Sequence, residues 1–213
     1  MKYYIFIIVA VLMLPMGLSG QSIKGIDEIA PFSEGLAAIR KGNQWGFINE
    51  DGVLVIDYRS DLYWNEDADT SKSDVLGVKY PMFKKGRCLI TENVEDGVPV
   101  FGYINTNGDV IVAPKFLNVY PFSSDGYATG VLYMKTFKGE NEFKLKVYDF
   151  KFFDVLFDTS GEIIEYLEKR DNIQMTKTRY KMPWIGAKAL ANGLAGVYIQ
   201  DQGWEIRKID LNK

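Results

Sequence analysis

The chain predicts an all-β, mainly antiparallel fold in which three-stranded meanders repeat and pack side by side. Three observations lead there. The 213 residues carry 13 Phe, 13 Tyr and 4 Trp beside 20 Gly, and aromatic residues together with Val and Ile favour strands over helices. A turn signature, Asn or Asp followed three residues later by Gly, recurs along the chain. Short apolar runs flank each copy of it, as strands flank hairpins.

The elements follow in chain order. Residues 1–20 read as a cleavable export leader: Lys2, an apolar run from Ile5 to Leu14, Pro15, then the small residues Gly17-Leu18-Ser19-Gly20. The run falls short of the roughly 20 apolar residues that span a bilayer. Residues 21–213 then form a single β-repeat domain of about four degenerate copies. The first reads Phe32-Ser33-Glu34-Gly35-Leu36-Ala37, Trp45-Gly46-Phe47-Ile48-Asn49 and Gly52-Val53-Leu54-Val55-Ile56. The second holds Phe83 to Cys88, Phe101-Gly102-Tyr103-Ile104-Asn105 and Gly108 to Val112. The third runs from Phe122 to Ala128, then Val155 to Asp158 and Gly161 to Ile164; the fourth begins Gly193-Leu194-Ala195 and ends Ile209-Asp210. The landmarks Asn49, Asn105, Asp158 and Asp210 are 56, 53 and 52 residues apart, an even spacing that marks internal repeats.

Each landmark has a mechanical role. An Asn or Asp side chain accepts backbone hydrogen bonds across a turn, and Gly takes the left-handed conformation at little steric cost. A type I turn closed by a glycine bulge is the expected hairpin at Asn49–Gly52, Asn105–Gly108 and Asp158–Gly161. The third position of the Gly-x-small triplet holds Ala37, Cys88, Ala128 and Ala195. Cys88 therefore reads as a packing residue in a slot that admits only small side chains.

Phe-x-x-Gly-Leu-Ala, Trp45-Gly46-Phe47-Ile48-Asn49 and the following glycine turn resemble the bacterial WG-repeat proteins, named for their Trp-Gly pair. The first copy fits well. The second replaces Trp with Phe101 and keeps Gly102; the third carries Asp154 and Val155; the fourth keeps Trp204, two residues out of register. The resemblance covers most of residues 21–213 at decaying quality. It implies an exported or surface-associated β-repeat protein without a shared catalytic site.

Three stretches lie outside the repeat pattern. Tyr58 to Tyr80 is a polar, acidic insertion. Tyr133 to Phe153 extends the third copy, and Phe143, Leu145 and Val147 alternate there with Lys144 and Lys146, the pattern of a half-buried strand. Glu165 to Ala191 is the least strand-like part, and a little helix is expected near 165–191. Ile26 to Ser33 matches Phe116 to Ser123, so the domain opens on the tail of a repeat unit. That match, with little sequence after Asp210, leaves two arrangements: an open array, the preferred one, or a closed propeller-like ring.

Composition narrows function by exclusion. Histidine is absent and cysteine occurs once, which removes His-containing triads, internal disulfides and Cys-clustered metal sites. A net charge of −3 gives no general attraction to nucleic acid. Asp67 to Ser71 has oxygen ligands at alternate positions, but Lys72 and Val78 stand where a calcium loop needs Gly and Glu. No cofactor or metal is expected. The chain is expected to be an exported, non-catalytic binding protein, periplasmic, cell-surface or secreted, with no stable membrane insertion once the leader is removed. Its partner is expected to be a protein or glycan, with Tyr63 and Trp64 in the insertion as candidate ligand-binding residues. The alternatives are an architectural envelope-assembly protein and a carboxylate-dependent hydrolase.

Overall fold

The structure, a computed structural model, describes residues 22–95 and 97–211. The expected leader, 1–20, lies outside the described residues. Among the described residues, thirteen strands form three antiparallel sheets. The first sheet holds β1 (Glu28–Ile29), β2 (Leu36–Lys41), β3 (Gln44–Asn49) and β4 (Leu54–Arg59) in chain order. The second runs β5 (Cys88–Val94), β6 (Val98–Ile104), β7 (Val110–Val119), β8 (Tyr127–Glu140), β9 (Lys146–Asp158) and β10 (Ile163–Arg170). The third holds β11 (Ala187–Ala189), β12 (Leu194–Ile199) and β13 (Gly203–Lys208). All three sheets are open, with edges at β1 and β4, β5 and β10, β11 and β13. The open array is therefore the arrangement found.

The repeat is a short lead strand followed by a three-stranded meander. Ile29 pairs with Ile39, Leu62 bridges to Ile90, and Val119 pairs with Gly130 at equivalent positions. The likeness of 26–33 to 116–123 is thus a likeness of pairing as well as of sequence. Between the second and third copies the chain stays extended, so β7 serves as the last strand of one and the first of the next. This continuity makes the middle sheet six strands wide.

The hairpins form as their chemistry predicts. Asn49 Oδ1 accepts from the amides of Asp51 and Val53 at 3.1 and 2.9 Å. Asn105 Oδ1 does the same for Asn107 and Asp109, and Asp158 Oδ1 for Ser160 and Glu162. Gly52, Gly108 and Gly161 have φ of 73°, 88° and 83°. The same turn closes the β8–β9 hairpin, where Asn141 Oδ1 accepts from the amides of Phe143 and Leu145, and Lys144 takes the glycine position with φ 57°.

Two of these glycines also join copies to each other. A Cβ on Gly108 would lie 3.2 Å from Ile56 Cγ2 in the preceding copy, and one on Gly161 only 2.7 Å from Val112 Cγ2. Arg59 Nη1 donates to the Gly108 carbonyl at 2.6 Å, and Lys115 Nζ donates to the Gly161 carbonyl at 2.9 Å. Each turn is therefore seated on the last strand of the copy before it. Gly52 has nothing within 4 Å of such a Cβ. Alanine at position 52 should cost about 1 kcal/mol for its left-handed backbone alone. At 108 and then 161 the cost should rise to about 2–3 kcal/mol as overpacking is added. Urea melts of the three variants check this order; equal midpoints would show that the turns do not touch the preceding copy.

The small-residue slot is as expected: Ala37, Ala128 and Ala195 are 0% exposed and Cys88 1%. Burial pushes the Cys88 thiol up to about 12, so the reactive thiolate is suppressed at neutral pH. Each neighbouring pair of sheets shares a core. Trp45, Phe47 and Ile56 of the first pack with Cys88, Ile90 and Ile104 of the second. Leu156 and Leu167 of the second pack with Ala187, Ala195 and Val197 of the third.

Three expectations need correcting. No α-helix occurs at 165–191: β10 covers Ile163–Arg170, and 171–186 makes a hydrogen-bonded turn from Thr176 to Tyr180. Pro183 lacks the amide a helix would need, and Met175, Tyr180 and Ile185 instead pack over Val98, Leu117 and Phe152 of the middle sheet. The fourth landmark is Lys208, not Asp210. Lys208 pairs with Leu194 as Asn49 pairs with Leu36, which puts Trp204 opposite Tyr198 as Trp45 is opposite Arg40. Trp204 is thus in register. Finally, 143–147 is not a half-buried strand: 143–145 lie in the β8–β9 turn, and Phe143 is 81% and Leu145 62% exposed.

Candidate functional site

Tyr63 and Trp64 follow Leu62, whose bridge to Ile90 holds this stretch extended along the edge of β5. Successive side chains of an extended segment point to opposite faces. Tyr63 stands edge-on to Phe101, centroids 4.8 Å apart, while Trp64 stands edge-on to Trp45 at 5.7 Å. Arg40 lies over the Trp64 ring at 5.2 Å. Both residues are only partly exposed and belong to different core clusters. Each closes over the Trp-slot aromatic of one copy, Trp45 in the first and Phe101 in the second. The structure therefore does not bring the two rings together on one surface.

Tyr63 does border a cleft of about 290 Å³ between the insertion and the middle sheet. The insertion supplies Asp74, a 3-10 turn at Val75–Gly77 and the stretch Val78–Met82; the sheet side supplies Leu89, Tyr103 and Val119–Phe122. Asp74 is fully engaged: Oδ1 accepts from the Leu76 amide at 3.1 Å and Oδ2 from Asn118 Nδ2 at 2.9 Å. Burial and the nearby Asp74 carboxylate raise the Tyr63 hydroxyl above the usual tyrosine range. Tyr103 is 3% exposed, and its hydroxyl has no hydrogen-bond partner in the protein. Burial holds it protonated. Lys79, Lys84 and Arg87 lie at the same cleft.

The calcium-like stretch is used for turns. Asp69 Oδ1 accepts from the Ser71 amide and hydroxyl, which lowers its carboxyl below the ordinary range, and Asn65 caps Asp67. Among the described residues no group of three Cys, Asp or Glu could hold a metal.

A second feature lies in the extension of the third copy. β8 and β9 pair with each other from Tyr127 to Glu140, but β7 reaches only Leu132 and β10 only Phe152. The two strands therefore leave the sheet as a ribbon covering 133–151. Its root is anchored by Lys135, whose Nζ lies 2.6 Å from Glu95 Oε1 and 4.1 Å from the Tyr148 ring centroid. Its outer part exposes Phe137, Phe143, Leu145, Val147 and Tyr148. The sequence marks Tyr133 to Phe153 as an extension of the third copy, but not that the extension leaves the sheet.

No helix among the described residues is long and apolar enough to cross a membrane. A family model described as WG containing repeat matches residues 25–45, 45–65 and 101–129. Comparison with curated proteins and with solved structures returns no match.

Proposed function

We propose, from the WG-containing repeats that make this chain a WG-repeat protein, that it is a non-catalytic interaction protein working outside the cytoplasm. The β8–β9 ribbon is the element that meets its partner. Export is supported by the pattern of residues 1–20 and the non-catalytic reading by the turn-making and packing roles of the repeated Asn, Asp and Cys residues.

The ribbon carries the reading. A two-stranded ribbon is marginal in water unless something covers it, and large exposed apolar patches mark interaction surfaces. Phe137, 54% exposed, faces Tyr148 across the ribbon with centroids 5.6 Å apart. The turn adds Phe143 and Leu145. Aliphatic side chains mixed with aromatics suit an apolar groove on a protein better than a sugar ring, and Tyr63 and Trp64 are occupied in packing. The repeats hold this surface rigidly at its root.

Replacing Phe137, Phe143 and Leu145 together with serine should leave the melting temperature within about 2 °C, since exposed substitutions rarely exceed 0.5 kcal/mol. In-cell crosslinking from position 145 should yield a discrete adduct in the exported fraction that the triple variant loses. An adduct that persists in that variant, or none at all, sinks the ribbon. Hydrolytic turnover abolished by one Asp or Glu substitution in folded protein sinks the non-catalytic reading.

A further inference from the structure

We propose that the cleft between the insertion and the middle sheet binds a small aromatic carboxylate that carries a second oxygen on its ring. This site is separate from the ribbon and does not depend on it. At about 290 Å³ the cleft is at the small end of ligand pockets. Val75, Val119 and Phe122 are buried and give it a rigid apolar wall. That wall suits a compact, flat body.

Polarity sets what the ligand carries. Tyr103 lines the cleft, almost completely buried, with a hydroxyl that no protein group satisfies. An unpaired buried hydroxyl costs the fold stability, whereas a phenylalanine would fill the same space without that cost. Being protonated, it can donate to a ligand oxygen. Lys79, Lys84 and Arg87 also line the cleft, where the one acid is Asp74, both of whose carboxylate oxygens are already bonded. Arg87 is partly spent on the Thr159 and Gly86 carbonyls; the two lysines are exposed. This excess of positive charge favours a carboxylate, placed where it keeps part of its hydration.

The test titrates the intact exported chain with three probes and follows the methyl signals of Val75 and Val119 by NMR. The probes are 4-hydroxybenzoate, 4-methylbenzoate, which lacks the ring oxygen, and the neutral methyl ester of 4-hydroxybenzoate. The expected order is 4-hydroxybenzoate tightest. Tyr103→Phe should weaken it about fivefold, the loss of one neutral hydrogen bond, while 4-methylbenzoate is unaffected. A Lys79→Gln, Lys84→Gln double variant should weaken both acids and spare the ester. Tyr103→Phe should melt no lower than the parent, so lost binding cannot be ascribed to misfolding. No shift at Val75 or Val119 with any probe at millimolar concentration overturns the proposal. Equal affinity of 4-hydroxybenzoate for parent and Tyr103→Phe does so too, as does a lower melting temperature for that variant, which would assign the hydroxyl to the fold.

Discussion

Replacing Asp154 with alanine should destabilise the protein by about 3–5 kcal/mol, the usual cost of removing one partner from a buried ion pair. Asp154 stands on β9 in the slot that Trp45, Phe101 and Trp204 fill in the other copies, and it is 0% exposed. Its Oδ1 accepts from the Gly186 amide at 3.0 Å, and its Oδ2 lies 3.2 Å from Arg170 Nη1. Arg170 in turn lies over the Trp184 ring, 4.7 Å from its centroid. A Cβ on Gly186 would come within 2.7 Å of Asp154 Oδ2, so the glycine is what lets the backbone reach the carboxylate. One side chain thus binds the end of β10 and the approach to β11 to the middle sheet. Where the other copies use an aromatic ring, this copy uses a carboxylate.

Asp154→Asn separates charge from shape. It keeps one acceptor for Gly186 but leaves Arg170 beside a neutral group, so a smaller loss is expected than for alanine. The pH dependence carries a sign. Burial, opposed by Arg170, raises the Asp154 carboxyl above the ordinary aspartate range. An acid raised on folding binds its proton more tightly in the native state. Its contribution is full below the unfolded value and is lost as pH rises through the folded value. The parent should therefore lose stability relative to Asp154→Asn across that window, read from urea midpoints at stepped pH. A gap that widens in the parent's favour as pH rises would show that Arg170 outweighs burial.

The parts legible in the sequence were those set by local chemistry. Asn49, Asn105 and Asp158 make their turns with neighbours two to four residues away, and the alanine slot was visible from its repetition. What escaped was set at long range. With Asp210 as the landmark Trp204 falls two residues out of register; only pairing with β12 puts Lys208 in that place. Phe143, Leu145 and Val147 alternate as a buried face would, yet alternation records which side chains share a face and not whether anything covers it. Tyr63 and Trp64 lay outside the repeat pattern and so looked free, although each packs on the aromatic of a different copy. Tyr103 gave no signal at all, since an unpaired hydroxyl is a property of its surroundings.

The second large effect concerns the glycine of the Trp-Gly pair: Gly102→Ala should cost about 3 kcal/mol, the upper end of overpacking penalties. A Cβ there would fall 2.3 Å from the Val112 carbonyl oxygen and 2.7 Å from the Pro114 nitrogen. Both are backbone atoms and cannot rotate aside. At Gly46 the equivalent contact is the Ile56 carbonyl oxygen at 2.8 Å. In both copies the partner strand has its register shift at this point, between Trp45 and Phe47 and between Phe101 and Tyr103. The bulge pushes the last strand of the meander over the glycine, and that displaced strand is what the next copy's turn rests on, through Ile56 and Val112. The third copy bounds this account. Val155 stands in the glycine position there and pairs with Tyr166, although β10 carries register shifts at the same points. In the fourth copy Glu205 occupies the position, and β13 has no partner on that side among the described residues. Glycine is thus present in the two copies where the crossing backbone comes within 2.8 Å of the place a Cβ would take. Gly46→Ala should cost less than Gly102→Ala, in line with its longer contact, and Gly42→Ala, with nothing within 4 Å, should show only its backbone strain. Denaturant midpoints for the three variants decide it; a Gly102→Ala protein as stable as the parent would mean that the bulge does not need the glycine.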